Sequence, residues 1–318
     1  MKNNPVIEFP RNTKTDRYAV ILAGGDGSRL KSLTRAIAGD ERPKQFCPLL
    51  DGETLLDVTR RRTALGIAPE RTFFSLTAKH ERFYGAALAD AARRQLIVQP
   101  ENKGTAPAII YSLFRLAKLD PQATVAFFPS DHYFSDDAAF MENVEKAFQA
   151  VELNPGALVL LGIEPDAAET SYGWIEPAET LFGSLARSVS RVERFWEKPS
   201  PETARRLMAK GCLWNSFVMV GRVGTFLALV EKHLPSLYRI FAASSVTFET
   251  SAERSTVRAL YAWIPDENFS SAVLEKAAAE LCVLRVAGVT WSDWGEPQRV
   301  FGTLAGLGRR PAWMPAAA

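Results

Sequence analysis

Between Tyr18 and Ile163 the chain alternates short apolar runs with longer stretches of helical spacing, and this alternation most restricts how it can fold. "YAVILA" from Tyr18, "TFFSLT" from Thr72, "LIVQ" from Leu96, "TVAFFPSD" from Thr124 and "ALVLLGI" from Ala157 are apolar without a strict period of two. Strands covered on both faces by helices read this way. Between them, "TLLDVTRRRTAL", "KHERFYGAALADAARR", "APAIIYSLFRLAKL" and "AAFMENVEKAFQAVE" repeat apolar residues at helical intervals. Such alternation builds βαβ units with right-handed crossovers. The expected class is therefore α/β, a mixed but mostly parallel sheet flanked by helices. Ligands of such sheets sit beyond the carboxyl ends of the strands.

The pattern changes after Gly162. "YGWIEP" and "RSVSRVERFWEKP" suit antiparallel strands, and "LWNSFVMVGR" a further strand. From Gly224 the spacing is mainly helical until "LCVLRVAGVTWSDWG". The expected division is an N-terminal extension over 1–17, a core over 18–223 with halves at about 18–162 and 163–223, a mostly helical C-terminal part over 224–308, and a tail over 309–318. Three widely spaced cysteines among 318 residues, with no CxxC pair, argue against a zinc site and suit a reducing compartment. A net charge of +2 does not favour nucleic acid as a partner. No apolar run approaches the roughly 20 residues that span a bilayer, and "MKNNPVIEFPRNTKTDR" lacks the apolar core of a leader. The expected location is cytoplasmic, without a membrane partner; a homo-oligomer is left open.

The first strand runs into "GGDGSRL" and then "RPKQF". A dinucleotide loop wants a third glycine where Leu30 stands, and a phosphate-binding P-loop wants a lysine that does not follow Gly27. Glycines after a strand still let backbone amides approach an anion or a base. Arg29 adds a planar fork and Lys44 a point charge, a pair suited to polyphosphate. Taken alone, the loop is equally well a glycine turn with solvated basic residues.

Further motifs follow in order: "QPENKGTAPAI", "FFPSDHYF", "GIEPDAAETSYGWIEP", "RFWEKPS", "LWNSF" and "WSDWG". With the first loop, this series resembles the sugar-1-phosphate nucleotidyltransferases and is most similar to the mannose-1-phosphate guanylyltransferases. The resemblance runs over about residues 18 to 300. It implies a Rossmann-like fold and Mg²⁺-dependent transfer of a nucleotidyl group from an NTP, most directly GTP, to a sugar 1-phosphate, most directly mannose 1-phosphate. Pyrophosphate is released. The alternatives are the same chemistry with glucose 1-phosphate and UTP or dTTP, or a catalytically silent sugar-nucleotide-binding regulator.

The same resemblance implies roles. Asp131 and Asp293 match the carboxylates that hold the metal, and Arg29 and Lys44 the cations on the nucleotide phosphates. Lys198 matches the lysine on the sugar phosphate, and Glu197, Gly173 and Asn215 match sugar-binding positions. An adjacent Glu–Lys on a strand would point to opposite faces, but Pro199 implies a strand end from which both reach the cleft. The nucleotide is expected against Leu22, Ala23, Gly24, Gly25, Gly27, Ser28, Gln99, Gly104 and Thr105, where a helix start offers amides. His132 reads as structural, since a phosphate nucleophile needs no general base. Trp174, Trp196 and Trp214 read as core. Gln99, Gly104, Ser171 and Phe217 depart from the guanylyltransferase pattern, which has an acid, an asparagine, a glycine and a glycine there. The first two bear on base choice, and Phe217 on the sugar pocket.

Overall fold

The computed structural model describes residues 16–50, 52–180, 189–311 and 313–314. The expected N-terminal extension lies outside them up to residue 15, as do residue 312 and residues 315–318 of the expected tail. In chain order the elements are β1 (Arg17–Leu22), α1 (Lys31–Ala38), α2 (Leu55–Ala64), β2 (Thr72–Thr77), α3 (Glu81–Ala87), β3 (Leu96–Gln99), α4 (Thr105–Leu119) and β4 (Thr124–Pro129). There follow β5 (Tyr133–Phe134), α5 (Asp137–Leu153), β6 (Leu158–Ile163), β7 (Gly173–Thr180), β8 (Val189–Glu197), α6 (Pro201–Ala209) and β9 (Leu213–Arg222). The chain closes with α7 (Val223–His233), α8 (Pro235–Ser244), α9 (Glu253–Tyr261), β10 (Leu281–Arg285), β11 (Trp291–Ser292) and α10 (Pro297–Gly306).

The main sheet runs β3-β2-β1-β4-β9-β6-β10-β8-β7, with β9 also touching β7. Strands β3, β2, β1 and β4 are parallel, and so are β6 and β10. The pairings β4–β9, β9–β6, β10–β8, β8–β7 and β9–β7 are antiparallel. The sheet is thus mixed: the parallel arrangement expected from the apolar runs holds through β3-β2-β1-β4 and, among the described residues, recurs in the β6–β10 pair. Strands β7 and β8 pair antiparallel as a consecutive return, whereas β9, which follows α6, and β10 make their antiparallel pairings with strands distant in sequence.

Both faces are covered, which is why β2, β4 and β6 are buried at every position. On one face α4, α7, α8 and α9 pack Ile109, Leu113, Phe226, Phe241 and Tyr261 against β1 and β4. On the other, Leu56, Tyr84, Phe140 and Phe148 of α2, α3 and α5 cover Ile21, Phe128 and Leu161. A third cluster joins Leu30 and Leu33 near the first loop to Trp294, Val300 and Leu304. The end of the described chain is therefore packed beside the loop that follows β1. Among the described residues no helix is long and apolar enough to cross a membrane.

Candidate active site

The connection after β1 leads to β2 on one side and that after its neighbour β4 leads to β6 on the other, so the two leave adjacent carboxyl ends in opposite directions. A crevice opens at such a reversal. Here it is a cavity of about 340 Å³ whose lining includes Leu22, Gly24, Gly25, Ser75, Gln99, Gly104, Thr105, Asp131 and Phe217. The glycine loop is tied down from below. Gln45 Nε2 donates to the carbonyls of Ala23 (3.0 Å) and Gly25 (2.8 Å), and Thr77 Oγ1 to that of Gly24 (2.8 Å). Gly27 has φ 58°, and a Cβ there would lie 3.0 Å from the Lys44 backbone nitrogen. The glycine therefore lets the loop lie on "RPKQF". Ser28 and Arg29 begin the short 3₁₀ turn that follows.

Two carboxylates far apart in sequence arrive at one edge of this cavity. Strand β4 ends two residues before Asp131, and β5 begins two residues after it. Strand β11, which ends just before Asp293, pairs antiparallel with β5, Trp291 opposite Phe134 and Ser292 opposite Tyr133. This two-stranded ribbon brings Asp293 back to the sheet. Lys44, 6% exposed, joins the two segments: its Nζ lies 3.2 Å from Asp131 Oδ2 and donates to the main-chain carbonyls of Asp293 and of Trp294, the latter at 3.0 Å. Arg29 is exposed, with Nη2 3.7 Å from Asp293 Oδ2.

The Asp293 carboxylate is held from one side. Its Oδ1 accepts from Tyr172 Oη (2.9 Å), Arg299 Nη1 (2.7 Å) and the Gly295 amide (2.8 Å). Burial would raise its pKa, but Lys44 and Arg299 among its neighbours hold it below the usual carboxylate range. Trp294 sits at φ 44°, fully buried and stacked on Tyr133 with ring centroids 5.3 Å apart. That left-handed residue turns the chain so that both carbonyls face Lys44. Oδ2 of Asp293 and the half-buried Asp131 form a hard-oxygen donor pair. Two hard carboxylate oxygens would suit a cation such as Mg²⁺ whose other ligands are phosphate and water; the described residues hold no cluster of three or more His, Cys, Asp and Glu. Burial pushes His132 down to about 4, so its ring is neutral near pH 7; its Nδ1 accepts from Trp291 Nε1 at 3.3 Å.

Gln99 and Thr105 line the cavity but are also engaged by the C-terminal part. Gln99 is 2% exposed, donates to Ser75 Oγ (3.3 Å) and accepts from Tyr261 Oη (3.0 Å). Thr105 Oγ1 accepts from the Phe269 amide at 2.8 Å. Asn102 links the start of α4 to the glycine loop, donating to Asp26 at 3.3 Å and accepting from the Gly104 amide at 3.0 Å.

The remaining residues gather apart from this cavity, on β7, β8 and β9. Glu197 ends β8 opposite Gly173 of β7, where a Cβ would lie 2.9 Å from the Phe195 ring and 3.1 Å from Glu197 Oε2. Lys198 has φ 49°, and this turn brings its Nζ to 3.8 Å from Glu197 Oε1, so the two adjacent side chains do not diverge as on a regular strand. Burial raises the Glu197 carboxyl. Asn215, 8% exposed, lies opposite Gly162 on β6. Trp174 and Trp214 are core, as expected; Trp196 is half-buried under the guanidinium of Arg194. Sequence reasoning missed Asn102, Tyr172, Tyr261, Arg299 and Asn268, the last of which also lines the cavity. Asn102 and Tyr172 stand inside quoted motifs, where position next to residues already singled out was the available signal. Tyr261, Asn268 and Arg299 lie outside every motif and carry none.

Residues 18–304 match the model of the nucleotidyl transferase family. The chain is 32% identical over 285 residues to the mannose-1-phosphate guanylyltransferase of Escherichia coli K12, covering 87% of this chain and 58% of that protein. It is 31% identical over 283 residues to the alginate biosynthesis protein AlgA of Pseudomonas aeruginosa, covering 87% and 56%. It therefore spans less than two thirds of the length of these relatives. Among solved structures, a Thermus thermophilus protein described as a mannose-1-phosphate geranyltransferase superposes with a TM-score of 0.77 at 30% identity, over 90% of this chain and 79% of that one.

Proposed function

The chain belongs to the nucleotidyl transferase family, and from that premise we propose that it transfers a nucleotidyl group from GTP to mannose 1-phosphate, releasing pyrophosphate and giving GDP-mannose. The observation that carries the reading is the meeting of Asp131, Asp293, Lys44 and Arg29 at the edge of the β1–β4 cavity. The choice of guanine and mannose follows the names of the relatives.

An oxygen of the sugar phosphate attacks the α-phosphorus in line. A new P–O bond forms, the bond to the β-phosphate oxygen breaks, and its electron pair leaves with pyrophosphate. The nucleophile is already an oxyanion, so no side chain needs to take a proton. Asp131 and Asp293 Oδ2 would hold Mg²⁺, which when bound would supply positive charge to the phosphate oxygens. Arg29, exposed beside Asp293, clamps the departing phosphates; Lys44 orders both carboxylate segments and offers its charge from beneath. Lys198 and Glu197 hold the sugar phosphate and the sugar, with Gly173 leaving room and Asn215 taking a hydroxyl. The nucleotide lies along Leu22 to Ser28, with its base toward Gln99, Gly104 and Thr105.

Asp131→Asn and Asp293→Asn test the assignment. Each is expected to lower kcat by about a hundredfold or more while the protein stays folded. Near-normal Mg²⁺-dependent turnover in either variant would sink it.

A further inference from the structure

Phe217 lines the cavity, takes no part in the chemistry above, and stands in a backbone conformation that its side chain disfavours. Its φ is 61°, in the left-handed region where glycine is at home and a phenylalanine needs its surroundings to hold it. Those surroundings are built. Pairing of β6 with β9 slips between Leu160–Met219 and Gly162–Asn215, so Ser216, Phe217 and Val218 bulge opposite Leu161. Asn215 Oδ1 accepts from the Phe217 amide at 3.1 Å. Fully buried Ser216 donates to the Leu161 carbonyl at 2.6 Å and accepts from the Val218 amide at 3.2 Å.

The bulge falls at a seam. One edge of β9 stays with β6, while the other bonds β4 through Met219–Arg222 and β7 through Leu213–Trp214. Phe217 stands where that edge passes from the nucleotide half to the half carrying Gly173, Glu197 and Asn215. It packs against the apolar core on the α4 side and shares the cavity wall with Pro129 and Asp131.

We infer that Phe217 is a specificity-determining wall that bounds the nucleotide cavity on the sugar side and selects the glycosyl group placed against the reacting phosphate. This rests on the proposed reading of the cavity. A benzyl side chain offers no polar atom, so a sugar hydroxyl turned onto it loses its water partners and gains none, whereas an epimer that turns the hydroxyl away keeps them. An apolar wall rejects such a hydroxyl by about ten- to a hundredfold.

The test is isothermal titration of wild type, Phe217→Gly, Phe217→Ala and Phe217→Leu with GTP, GDP-mannose and GDP-glucose. In wild type one sugar is preferred. In Phe217→Gly that preference falls by about tenfold or more, GTP affinity changes far less, and Phe217→Leu restores part of the preference. Phe217→Gly unfolds at a higher temperature than Phe217→Ala, because both lose the ring and glycine alone accepts φ 61° freely. An unchanged preference, no preference in wild type, or equal losses for GTP and the sugar nucleotides would overturn the inference. Wild type that binds these ligands but turns none over contradicts the transferase reading and leaves the selectivity comparison intact; wild type that binds none overturns both.

Discussion

Gly104 precedes α4 with φ 82°, and a Cβ built there would overlap the Glu267 carbonyl oxygen, which accepts from the Ala106 amide at 3.0 Å. A side chain at this position meets both an unfavourable dihedral and backbone that cannot swing away. Gly104→Ala is therefore expected to cost about 1–3 kcal/mol of stability and to raise the KM for nucleotide, since α4 and the Asn268 segment would be pushed apart. Equal urea midpoints for variant and wild type would refute the steric argument. The same scale shows what the sequence could not reveal about individual residues. Glu197 and Lys198 are neighbours that a regular strand would splay; a left-handed φ at Lys198 resolves it, and no residue type there announces that turn. Gln99 reads as a free base-reading amide, yet its contacts to Ser75 and Tyr261 belong to packing with elements distant in sequence.

Helix α10 reaches the site through Arg299. This side chain lies 2.7 Å from Asp293 Oδ1, Glu169 Oε2 and Ser171 Oγ, with its guanidinium over the Tyr172 ring at 4.5 Å. It ties Asp293 to the β6–β7 connection. Arg299→Ala leaves Asp293 and Glu169 without this partner, and burial then raises the Asp293 carboxyl. The expected result is a loss of about 1–3 kcal/mol in stability together with a higher Mg²⁺ concentration for half-maximal turnover. Arg299→Lys should recover little, because an ammonium cannot fork to these acceptors. An unchanged Mg²⁺ requirement in both variants would contradict the positioning role. The ribbon of β5 and β11 belongs to this scale too. Two-residue strands carry no period to read, so the meeting of Asp131 and Asp293 was expected from resemblance and not from pattern.

Across the whole molecule, what could be read was what is local. The alternation from Tyr18 to Ile163 follows from buried apolar runs and amphipathic helices, and it yields the β3-β2-β1-β4 half. The other half depends on distant pairings: β10, from the C-terminal part, lies between β6 and β8, and one short apolar run cannot name its neighbours. The third apolar cluster has the same origin, closing Trp294 and α10 onto the first loop. These long-range closures complete the site, because Asp293, Arg299 and Tyr261 all come from the chain's last third.

The most direct test is release of pyrophosphate by the purified protein with Mg²⁺, run with each of four NTPs against mannose 1-phosphate, glucose 1-phosphate and related sugar 1-phosphates. Turnover is expected to centre on GTP with mannose 1-phosphate, with the nucleotide sugar and pyrophosphate formed in equal amounts. Strong turnover with another pair would overturn the substrate assignment and keep the chemistry; no pyrophosphate from any pair, with the protein folded, would contradict the claim that these carboxylates and cations perform nucleotidyl transfer.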